Sequence, residues 1–152
     1  MGKIKDMHGA ISGLLCEIEK AEAKMRSRGL YAVLPYLARV FETIDDPTLK
    51  ITEEQYKSVL VYVSDISSAE DKYYVGFVQY TCKEIVALIR SPFTTDSEMQ
   101  QKSAEHRIKK CEAGINSIKA RLSAGVDSSD EIKLTAELNR LEAEKKCGFE
   151  RL

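Results

Sequence analysis

The chain has 152 residues, 31% of them charged and 43% hydrophobic, with a formal net charge of −1. That length suits one domain, or one domain with an appendage, and is enough to bury a core. The balanced charge excludes a bulk electrostatic pull toward nucleic acid or an acidic membrane, and sparse glycine and proline favour helices on short connections.

From Met1 to Arg28, the apolar residues Ile4, Met7, Ile11, Leu14, Ile18, Ala21 and Met25 recur in alternating steps of three and four. That is one seam of a helix. Gly9 and Gly13 weaken its first half by about 1 kcal/mol each relative to alanine. Gly29 is placed to end it in the left-handed conformation.

Leu30, Leu34, Leu37, Phe41 and Ile44 predict a second helix. Pro35 must then sit in its first turn, where a missing N–H costs nothing. Asp45-Asp46-Pro47 stops that helix. Thr52 and Gln55 form a capping box for a third, running to Ile66 with Tyr56, Leu60 and Val63 on its inner face.

The most apolar stretch is Ser68–Arg90, SAEDKYYVGFVQYTCKEIVALIR, with no charge between Lys72 and Lys83. Val75, Val78, Cys82, Ile85 and Ile89 make one seam, and Tyr73, Phe77 and Tyr80 a second, so the helix is expected to be covered on two sides. YYVGFVQYT also has strand-forming residue types, but the three–four spacing continues through KEIVALI and decides for helix. Ser68 and Asp71 are the expected start. A bilayer needs about 20 apolar residues, and Gln79, Lys83 and Glu84 interrupt this run.

Pro92 stops the fourth helix. Thr95 and Glu98 cap a fifth, with Ala104, Ile108, Cys111, Ile115, Ile118 and Leu122 on its seam. After SAGVDSS, Ser128 and Glu131 cap a sixth, with Leu134, Leu138 and Leu141. The expectation is an all-α fold of about six helices: a four-helix bundle core over residues 1–92 and a C-terminal antiparallel helical hairpin over 95–152, together one structural unit. The seams of the hairpin are narrow and flanked by charge. Helices that touch only along such seams bury little, so a further apolar stripe is expected to pack on the core or on another chain.

Four cysteines, Cys16, Cys82, Cys111 and Cys147, make no CxxC pair and follow no apolar leader. They are expected as reduced thiols in a cytoplasmic protein. A metal site would have to draw on His106, Cys111 and Cys147, because a hairpin folded about Val126 and Asp127 sets position 106 opposite 147. His106 lies two residues from Ile108 and is expected to point outward, with Cys111 buried on the seam, so no metal site is assigned. His8 has no acidic or thiol partner in register. There is no Glu-x-x-His pair, GxSxG, P-loop or GxGxxG, and no catalytic or cofactor-binding residue is assigned.

The basic groups His106-Arg107-Ile108-Lys109-Lys110 and Lys119-Ala120-Arg121 make Arg107, Lys109, Lys110, Lys119 and Arg121 the candidate nucleic-acid contacts. Arg26, Arg28 and Arg39 form a smaller group. Interleaved acids favour a solvated face of mixed charge. Among the tyrosines Tyr74, on neither seam, is the one expected to differ from a core role, and interfaces are enriched in tyrosine.

Residues 25–37, MRSRGLYAVLPYL, resemble the helix turn of small all-helical subunits in type III CRISPR effector complexes, where a basic-Gly-Leu turn leads into an apolar helix. The resemblance covers 13 residues and excludes the hairpin. It implies a small helical subunit of a nucleoprotein complex, which, together with a viral counterpart, is the first alternative reading; an enzyme is the second. The function expected from the residues themselves is a non-catalytic scaffold, adaptor or assembly subunit. It would act through coiled-coil-like helical seams, toward a protein partner or a second copy of itself.

Overall fold

A computed structural model describes residues 7–91 and 95–150, leaving aside the side chains of Met7 and His8. The described residues form six α-helices and no strand, an all-α fold. The expected seam position Ile4, the side chain of His8 and the stop at Pro92 lie outside the described residues. No helix is long and apolar enough to cross a membrane among the described residues.

The chain divides into two compact units. One holds residues 7–70 with 78–91, and the other holds 71–77 with 95–150. In the first unit, α1 (Met7–Ser27) packs against both α2 (Leu34–Ile44) and α3 (Glu53–Ser67). Leu14, Ile18, Ala21 and Met25 on the α1 seam are buried. Gly29 closes the helix at φ 73°, and the Leu30 N–H reaches back to the Met25 carbonyl at 2.9 Å. Lys24 donates to the Ser67 carbonyl and Arg28 to the Ala69 carbonyl at 2.8 Å. Lys24 on α1 and Arg28 in the turn after it thus satisfy carbonyls at and beyond the C-terminal end of α3, where the helix dipole favours positive charge.

Two inner faces differ from the expected ones. In α2, a 3₁₀ turn over Tyr31–Val33 precedes the α-helix, and Pro35 stands in the first turn as expected. Val33, Leu37, Val40 and Ile44 are fully buried, while Leu34 and Phe41 are only half-buried. The tighter opening turn rotates the seam by one residue. In α3 the capping box is present: the Gln55 N–H donates to Thr52 Oγ1 at 3.1 Å, and the Thr52 N–H to Gln55 Oε1 at 2.8 Å. Gln55 is buried, and its amide also donates to the Leu88 carbonyl at 3.2 Å. Holding Gln55 inward sets the helix phase, so that Val59, Val63 and Ile66 are buried and Leu60 is left 40% exposed.

The stretch expected as one helix from Ser68 starts later. Ser68 caps the end of α3, and Asp71, extended, caps a 3₁₀ turn over Lys72–Tyr74 by accepting from the Tyr73 N–H. Helix α4 then runs Val75–Arg90. Its first three residues belong to the second unit and the rest to the first. Val78, Cys82 and Ile85 on the main seam and Phe77 on the second are buried, whereas Tyr73 is 38% exposed.

A candidate interaction surface on the helical hairpin

Helix α5 (Asp96–Ala124) starts at Thr95, whose side chain accepts from the Glu98 N–H, and ends at Gly125, whose φ of 91° only glycine adopts without strain. Three loop residues lead into α6 (Ser128–Glu150). The expected cap at Ser128 shifts by one residue, since the Glu131 N–H donates to the Asp127 carbonyl at 2.8 Å and makes Asp127 the cap position. The helices pair closely. A side-chain carbon on Gly114 would lie 2.9 Å from Leu141, and one on Gly148 would lie 2.8 Å from Ile108, so both glycines mark near approach of the backbones. Ala104, Ile108, Cys111, Ile115 and Ile118 are buried along the α5 seam as its spacing requires.

Helix α5 has a second covered face. Ser117 donates to the Asp71 carboxylate, which also takes the Tyr73 N–H at 3.0 Å and lies 3.7 Å from the Arg121 guanidinium. The Phe77 ring meets His106 at 5.1 Å between centroids and takes Tyr74 edge-on at 6.5 Å. His106, expected on the surface, is therefore buried. It projects away from the seam as its position dictates, but residues 71–77 cover that side. The Tyr74 hydroxyl lies against Gly114, so the tyrosine set apart in the sequence packs on α5.

The five candidate basic residues are all exposed on α5. At about 100° per residue, Arg107, Lys110 and Arg121 fall along one strip and Lys109 and Lys119 on other sides of the helix. Arg121 is engaged by Asp71. The structure therefore does not gather the five into one basic face. It does bring Lys119 together with Lys145 and Lys146 of α6, which the sequence reading left out. With Ile115, Glu142 and the 54% exposed Phe149 they line a groove of about 520 Å³ on one side of the hairpin. Lys145 lies 6.0 Å from the centre of the Phe149 ring. Only the pairing of the two helices reveals this groove, because its walls are some 25 residues apart in sequence.

Cys111 is buried on the seam as expected and donates to Glu144 at 3.7 Å. Burial, reinforced by the neighbouring Glu144 charge, pushes its thiol pKa up. Arg140 clamps the flank of α6, donating to Glu137 at 3.0 Å and to Glu144, and its hydrogen bond holds the Glu137 carboxyl below the usual range. Cys147 is exposed, so the three expected candidates for a metal do not converge. Among the described residues no three His, Cys, Asp or Glu side chains are grouped to hold an ion. No protein-family model, curated protein or solved structure matches the chain.

Proposed function

We infer that the chain is a non-catalytic helical assembly protein that works through protein–protein contacts and associates with itself. The observation that carries this reading is the incomplete cover of α6. Leu134, Leu138 and Leu141 stay half-buried although α6 is already paired with α5, and of its described residues only Gly148 is fully buried. Ile132 and Phe149 are 72% and 54% exposed. A two-helix pair that leaves this much apolar surface in water gains from a further helix packed in the coiled-coil manner. The four unpaired thiols suit a cytoplasmic setting, where they stay reduced.

Light scattering across a concentration series tests the reading: a mass above the monomer is expected, rising with concentration. A strict monomer at every concentration overturns it. The spread of basic side chains around α5 gives no reason to prefer nucleic acid as the partner. Retardation of single- or double-stranded nucleic acid that falls steeply with salt would reverse that choice.

A further inference from the structure

The charges and apolar residues on one side of α6 repeat at the interval of a heptad. Glu131, Leu138 and Lys145 are seven residues apart, so they lie in one stripe, with Phe149 one turn beyond Lys145. The stripe is acidic at its start, at Glu131, and basic toward its end, at Lys145, with Asp130 and Lys146 on its two flanks and Lys119 of α5 beside the basic end. Reversing the helix about Leu138 maps it onto its own complement. Leu138 falls on Leu138, Glu131 on Lys145, and Phe149 on the loop at Asp127, while Asp130 and Lys146 come level with each other on opposite flanks of the contact. Glu142, the acid lining the middle of the groove, meets Leu134 and Thr135, so no like charges are set opposite each other. Glu150, at the groove's end, falls beside Val126.

Resting on the self-association reading above, we propose that the occupant of this face is a second copy of the chain. Its α6 lies antiparallel across the first, with a two-fold axis at Leu138 and Glu131 of each helix against Lys145 of the other. Two further observations favour this occupant. Among the described residues Glu131 forms no ion pair, in contrast to Arg140, Glu137 and Glu144 one face over. Leu138 is half-buried by α5 alone, which leaves its outer half for the axis. An antiparallel two-fold contact also closes on itself, giving a dimer with no open chain of copies.

The test uses the full chain and three variants: E131K, K145E and the two substitutions together. Glu131 is exposed and Lys145 half-buried, and circular dichroism checks that helicity is kept. Analytical ultracentrifugation is expected to give a dimer whose dissociation constant rises about tenfold or more in each charge-reversed variant, because the two-fold then juxtaposes like charges twice. The combined variant, with the charges exchanged, is expected to return close to the parent value. An oligomer that ignores both reversals overturns the α6 pairing and leaves self-association standing. A monomer at all concentrations overturns both.

Discussion

The Cys82 thiol has no polar partner strong enough to offset its burial at 1% exposure, which pushes its pKa up to about 12. An unfolded thiol ionises near 8.5. Below that pH both states keep the proton and the thiol has no effect on stability. From about 8.5 to about 12 the unfolded chain releases its proton while the folded chain holds it, so stability falls as pH rises through that window. Urea unfolding at pH 7 and pH 10 is expected to show this decline, and Cys82→Ala is expected to make it smaller. The same burial separates the thiols by reactivity. A thiol reagent at pH 8 should modify Cys16 and Cys147 at once, and Cys82 and Cys111 only as fast as the chain opens. Four equally fast thiols would contradict the packing.

Single helices of the chain take their phase from a few polar anchors. Gln55 is legible in the sequence as half of a capping box, but its third bond, to the Leu88 carbonyl, is not, and that bond turns Val59 inward and Leu60 out. Asp71 has a comparable part in the hairpin unit. It caps the Lys72–Tyr74 turn and holds Ser117 and Arg121 of α5, joining residues 71–77 to the helix they cover. Removing a cap costs about 1 kcal/mol, and the lost bond to Ser117 adds about another 1 kcal/mol. Asp71→Ala is therefore expected to destabilise the chain by roughly 2 kcal/mol, with faster amide exchange at the 71–77 turn and along the facing side of α5. Exchange that rises in α1 and α2 but not there would show that the anchor lies elsewhere.

Across the whole molecule, the break in organisation is displaced from the break in composition. Composition changes at Pro92, where apolar helices give way to charged ones, yet residues 71–77 group with the hairpin beyond it. A chain ended at Ser91 therefore keeps Tyr74 and Phe77 and loses the α5 surface that covers them. That fragment is expected to bind a hydrophobic dye and to melt several degrees below the full chain, since uncovering a buried aromatic costs about 3 kcal/mol. An unchanged melting temperature with no dye binding would contradict the grouping of 71–77 with the hairpin.

The sequence by itself determined what depends on neighbours along the chain. Helical class, the turn at Gly29, the Thr52–Gln55 box, Pro35 in a first turn and the α5 seam all follow from spacing and local hydrogen bonding, which act within a few residues. Tertiary structure decided what depends on residues far apart. His106 has the sequence position of a surface residue and is buried because Phe77, 29 positions earlier, lies over it. Lys119 joins Lys145 and Lys146 only once the Gly125 turn lays α6 back along α5. Periodicity says which side of a helix is apolar, and a polar side that another segment covers looks the same in sequence as one that faces water.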